Sequence, residues 1–188
     1  MYEEQLEQAK IAYSLDPLSF ATANSYFTAL TANRRYEEAE KLMKKVEQMS
    51  EDNNRLVINR SYFRLYSDQK AYNKMIPYLK EIVKTQNVFN RFLGHAYVQV
   101  GDTLSAYRII DSIHKNGHPY EKSQQLAVVY SALKRTDSVL YYLDTIRNKQ
   151  SRTFGREYKT YFGYLLKDPR FIKILDDHGL NKQKKSTH

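Results

Sequence analysis

Cysteine and tryptophan are absent from this 188-residue sequence, and glycine (six) and proline (four) are scarce. Without cysteine there is no disulfide framework, no thiolate zinc or iron–sulfur site and no thiol nucleophile. So few glycines and prolines leave too few turn positions for a strand-and-turn protein of this size. Long apolar runs are missing too. No stretch approaches the roughly 18 residues of a membrane span, and residues 1–17 carry Glu3, Glu4, Glu7 and Asp16 where a secretory leader would be basic and then apolar. A soluble, cytoplasmic chain with no membrane insertion is expected. Glycine-rich phosphate loops, nucleophile elbows and metalloprotease helices are also lacking.

What is present is an ordinary globular balance, 41% hydrophobic and 27% charged, enough for one sizeable domain. Charge is uneven. Residues 1–53 hold 6 Lys/Arg against 10 Asp/Glu, whereas residues 54–188 hold 24 against 11, which makes the overall charge +9. A basic surface of that size attracts acidic peptides, polyanions or anionic lipid heads, and it also serves plain solubility on solvated helix faces. Lys182, Lys184 and Lys185 form the one dense cluster, in a polar tail over 181–188 expected to be flexible.

Apolar residues recur at three- and four-residue steps almost throughout, which predicts an all-helical chain. Pro17, Pro119 and Pro169 fall where helices should begin, because a first-turn proline loses no intrahelical hydrogen bond. Pro77 falls inside the apolar pattern Met75, Leu79, Ile82 and should kink that helix or delay its start. The chain also repeats itself. Ser25-Tyr26-Phe27 returns as Ser61-Tyr62-Phe63 and Tyr36 as Tyr72, each 36 residues on, and Ala39, Met43 and Val46 correspond to Met75, Leu79 and Ile82. Leu93, Gly94 and Tyr97 then precede Gly101-Asp102, Ala106, Ile110 and Ile113, while Leu126, Ala127 and Tyr130 precede Val139, Leu143 and Ile146. Four helical hairpins are implied, over 18–50, 54–84, 86–116 and 118–150.

These residues resemble the tetratricopeptide repeat (TPR) family, whose period is about 34 residues. Leu93-Gly94-x-x-Tyr97, Gly101-Asp102 and Ala106 carry the resemblance best, and Asp16-Pro17 is similar to the turn that joins one repeat to the next. Met75 and Val139 at the small second-helix position, and Arg34-Arg35 in place of the usual turn glycine, depart from the pattern. The resemblance implies an all-α, right-handed superhelix of hairpins forming a single domain over 1–180. Small residues such as Gly94, Ala127, Ala39 and Ala106 would let paired helices approach closely.

Leu6, Ala9 and Tyr13 form an apolar stripe over 2–15 that reads as the second helix of a hairpin lacking its first, with Gln5 where a small residue is expected. An unpaired helix would leave that stripe exposed, and the expectation is either a fragment of a longer chain, the favoured reading, or a helix over 2–14 that acts as an unusual cap. At the other end, Asp168-Pro169-Arg170-Phe171, followed by Ile174, Leu175 and Gly179-Leu180, predicts an amphipathic capping helix within 155–180. That run is similar to closing segments on TPR tails of bacterial signalling proteins, including winged-helix transcriptional activators.

Candidate chemistry is thin. His114 and His118 have the spacing of a one-face metal pair, but Gly117 and Pro119 break the helix and no third ligand is evident. The acidic neighbours Glu37-Glu38 and Asp176-Asp177 diverge on a helix and read as solvated. No catalytic residue, metal or cofactor is expected. Tyrosine is abundant, 17 of 188, and Tyr26, Tyr62, Tyr97 and Tyr130 read as packing residues. In TPR proteins the first helix of each hairpin lines a concave groove, and the register here implies Asn24, Thr28, Arg60, Arg64, Arg91, His95, Gln124 and Val128 along it. Guanidinium forks suit carboxylates, so the first reading is a protein-interaction module that binds an acidic peptide or partner domain. The second is the sensory or regulatory C-terminal region of a bacterial transcriptional regulator or other signalling protein. The third is nucleic-acid binding through the basic half.

Overall fold

The computed structural model describes residues 2–50, 54–146, 159–177 and 179–180. The tail 181–188 and the start of the expected cap, 155–158, lie outside the described residues. Helices joined by turns and short connections make up the described residues, with no strand among them. The helices are α1 (Tyr2–Leu15), α2 (Phe20–Ala32), α3 (Tyr36–Met49), α4 (Arg55–Asp68), α5 (Tyr72–Val83), α6 (Asn90–Gln99), α7 (Thr103–Asn116), α8 (Pro119–Ala132), α9 (Thr136–Thr145) and α10 (Pro169–Asp177). Short 3₁₀ turns span Asn87–Phe89 and Gly163–Leu165. The chain divides into two compact units, Met1–Ile82 and Val83–His188.

One turn recurs in both units. After α2, α4, α6 and α8 the backbone enters the left-handed region at Arg34 (φ 59°), Lys70 (54°), Gly101 (83°) and Lys134 (58°). The next residue's N–H then reaches back five positions: Arg35 to the Leu30 carbonyl (2.9 Å), Ala71 to Tyr66 (2.8 Å), Asp102 to Tyr97 (2.9 Å) and Arg135 to Tyr130 (3.0 Å). Each turn thus satisfies carbonyls that a helix end leaves without partners. Only Gly101 supplies the residue type that this φ favours, so three of the four turns hold a side chain in a strained conformation. Gly179 (φ 67°) repeats the device after α10, where Leu180 donates to the Leu175 carbonyl at 2.9 Å.

In the first unit α1 packs on α2, α2 on α3 and α3 on α4. Phe27, Leu30, Met43 and Leu79 are fully buried, and each such side chain contributes about 1.5–3 kcal/mol by leaving water. Leu6 is buried and Tyr13 stacks on Tyr26 with ring centroids 5.6 Å apart. The Leu6, Ala9, Tyr13 stripe is therefore partly covered, with Leu6 buried and Ala9 and Tyr13 half-buried, which corrects the expectation that it would be exposed. The apolar residues that α1 does expose, Ile11 and Leu15, share the opposite stripe with Glu4 and Glu7. Pro17 corrects a second expectation. It lies in the α1–α2 turn, where the Asp16 carboxylate accepts from the Ser19 N–H at 3.2 Å, and α2 starts at Phe20 with Ser19 as its N-cap. Pro77 sits inside α5 on an exposed side, and the helix starts at Tyr72 without delay. Solvent can serve the carbonyl that the missing proline N–H leaves open.

In the second unit α6 packs on both α7 and α8, α8 on α9, and α10 on α9. Gly94 makes the α6–α8 approach possible: a Cβ there would stand 2.7 Å from Val129 Cγ2. Ala106, the small residue of α7, is fully buried, and Ile110, Ile113, Leu126 and Val129 form one core cluster. A second cluster joins Val128, Val139 and Leu143 to Phe162, Phe171, Ile174 and Leu175. Each member of the Asp168–Phe171 run has a structural task. Asp168 accepts from the Arg170 N–H at 2.9 Å, Pro169 opens α10, Arg170 spans Asp168 (2.8 Å) and Asp137 of α9 (2.9 Å), and Phe171 is fully buried.

Candidate functional site

The tyrosines of the first unit build a polar seam between helices. The Tyr62 hydroxyl donates to Glu47 of α3 at 3.0 Å, and its ring stacks on Tyr78 of α5 at 4.4 Å and on Tyr66 at 6.0 Å. Glu40, two turns before Glu47 on α3, takes Lys44 at 2.8 Å and Lys74 of α5 at 3.8 Å, and the Lys74 ammonium lies over the Tyr66 ring. Burial, reinforced by the α3 carboxylates, holds the Tyr62 and Tyr66 phenols well above the ordinary range, and burial also raises Tyr78. These hydrogen bonds, ion pairs and ring stacks tie α3, α4 and α5 to one another. Tyr130 repeats the theme in the second unit, stacked on Tyr142 at 5.6 Å, with His114 facing the same Tyr142 ring at 6.3 Å.

The eight residues placed by register fall into different surroundings. In the first unit, Asn24 and Thr28 are half-buried on α2, whereas Arg60 and Arg64 are exposed one turn apart on α4. Val57, 38% exposed and one turn earlier, continues their stripe. The buried face of α4 holds Ile58, Leu65 and the two seam tyrosines, so the arginines point away from the core by helical geometry. In the second unit Arg91 and Gln124 are buried, His95 is half-buried and Val128 is completely enclosed. The Arg91 guanidinium lies over the Phe92 ring at 4.4 Å.

Residues 159–165 pack against His95 and Val128. Tyr161 brings its ring to 5.2 Å from His95 and 6.4 Å from Phe92, and its carbonyl accepts from Ser131 Oγ of α8. Phe162 and Leu165 join Val128 in the core. The face of α6 and α8 is therefore partly covered by the chain's own C-terminal segment. Burial first, and the Lys134 ammonium second, push the His95 imidazole down to about 4, so it is neutral at physiological pH.

What remains accessible is a short cationic stripe with an apolar end. Two guanidinium groups about one helical turn apart match carboxylates on one face of a helix or an extended acidic segment. No protein-family model matches the chain, and no curated protein matches it.

Proposed function

We propose that this chain is a non-catalytic, cytoplasmic protein-interaction module of the tetratricopeptide kind, a right-handed stack of helical hairpins, in which the Arg60–Arg64 stripe of α4 takes an acidic segment of a partner. The observation that carries the reading is the exposure of both arginines beside Val57 on a helix whose other face is core. The recurrent left-handed turn and the Gly94 approach support the repeat architecture. Arg91, Gln124 and Val128 drop out of the accessible surface, which concentrates the interaction on the first unit. The capping work of Asp168–Phe171 accounts for that run without a signalling role, so the regulatory reading gains nothing from it.

The test is capture from nuclease-treated lysate on immobilised chain, compared with an Arg60→Glu, Arg64→Glu variant. A partner retained by the parent, lost by the variant at unchanged helicity and competed by a poly-glutamate peptide is the expected result. Equal retention by both proteins would remove the stripe from the binding site. Retention abolished by nuclease, with steep salt dependence, would bring the nucleic-acid reading forward.

A further inference from the structure

Independently of the α4 stripe, we infer that the outward face of α1 docks onto the α10 end of a second copy of this chain, in a head-to-tail contact between an acidic apolar surface and a basic one. The stripe Glu4, Glu7, Ile11, Leu15 advances by three or four residues, so these side chains stand in line on the side of α1 opposite Leu6 and Tyr13. Ile11 is 43% exposed and Leu15 81%, and Leu18 beyond them is 82% exposed. Glu3 and Asp16 add charge of the same sign, against the single Lys10 on this helix. Apolar side chains this open, rimmed by charge of one sign, have the composition of an interface centre with a polar rim.

The complementary surface is at the other end of the chain. Tyr164 and Leu166 are exposed at 41% and 46%, and the Lys134 ammonium sits over the Tyr164 ring at 4.4 Å. Lys167 follows Leu166, and Arg135 follows Lys134, all exposed. The carboxylates Asp137 and Asp168 are both engaged by Arg170, and with Lys134, Arg135 and Lys167 the cations here outnumber them. Asp176 and Asp177 lie at the far end of α10. Another exposed apolar pair, Leu104 and Tyr107, has Asp102 and Asp111 as well as the exposed Arg108 around it, and so presents mixed charge where the α10 end is basic. A second copy is the occupant because its own end supplies both the apolar centre and the opposite sign. Two different surfaces make the contact heterologous, so association should continue beyond a dimer unless the rotation closes a ring.

Sedimentation over a concentration series tests this. The parent chain should gain mass with concentration, past two copies unless two reciprocal contacts close a ring, and lose it as salt rises. Glu4→Lys with Glu7→Lys should be monomeric, as should Lys134→Glu with Lys167→Glu, each with unchanged helicity. Mixing the two variants in equal amounts should restore association, since the two reversed surfaces then match each other and the two unchanged surfaces do so as well. Should either charge reversal disturb the fold, Ile11→Gln with Leu15→Gln, at exposed positions, replaces it and should also be monomeric. A parent that stays monomeric throughout, or a mixture that fails to associate, would overturn the inference.

Discussion

Gly94 on α6 faces Val129 on α8 so closely that a Cβ at Gly94 would come within 2.7 Å of one valine methyl and 3.1 Å of the other, with Ile109 Cγ2 also at 3.1 Å. Both side chains in the way are β-branched and stiff, so neither can swing aside. Gly94→Ala would gain about 1 kcal/mol of helix propensity yet lose about 1–3 kcal/mol to overpacking. A net loss of stability is expected in denaturant titration. Val129→Ala opens the same space, so the double variant should be more stable than the two single effects predict when added.

The left-handed turns carry a prediction of opposite sign. Arg34, Lys70 and Lys134 hold φ values between 54° and 59° where Gly101 stands at the fourth turn. Glycine adopts that region without strain, so Lys70→Gly and Arg34→Gly should each raise stability by about 0.5–1 kcal/mol, less the backbone entropy that glycine adds to the unfolded chain. Gly101→Ala should lower it. Thermal melts of the three variants against the parent decide the point.

The seam around Tyr62 predicts an alkaline limit. Tyr62→Phe removes the donor to Glu47 and should cost about 1–2 kcal/mol, while leaving the stacked rings in place. Because the folded phenols of Tyr62, Tyr66 and Tyr78 are raised above their unfolded value, the stability they contribute is complete below about pH 10 and is lost as pH rises toward their folded values. Helicity should fall in that window, together with the appearance of tyrosinate absorbance.

The helical class was legible because three- and four-residue apolar spacing with so little glycine and proline admits no other regular structure. The recurrence of Ser25-Tyr26-Phe27 as Ser61-Tyr62-Phe63 marked corresponding helices, and both tyrosines do make ring stacks. The candidate surface was legible only in part. Register says which side of a helix a residue occupies, but not which distant segment covers that side. Val128 is enclosed in a cluster with Phe162, which comes more than thirty positions later, and no local pattern announces that return. Arg34, Lys70 and Lys134 show a related limit, because a left-handed turn held by a long polar side chain lacks the glycine by which such turns are read.

His95 gives the acid-side prediction for the second unit. Its ring is half-buried beneath Tyr161, and burial together with Lys134 lowers it to about 4, against about 6.5 in the unfolded chain. A depressed value means that the folded state disfavours the proton. The associated stability is therefore complete above about pH 6.5 and is lost as pH falls through the folded value, by on the order of 2–3 kcal/mol when titration is complete. Denaturant midpoints should decline between those limits, and His95→Gln, which cannot take up the proton, should flatten the decline. Protonation of His95 in the folded chain would also place a charge in the half-buried contact with Tyr161, so the segment 159–165 should loosen first. Hydrogen exchange near Ser131 and Tyr161 that rises below pH 5, ahead of the amides of α2 and α3, is the expected signature; uniform loss of protection along the chain would show that His95 does not control this contact.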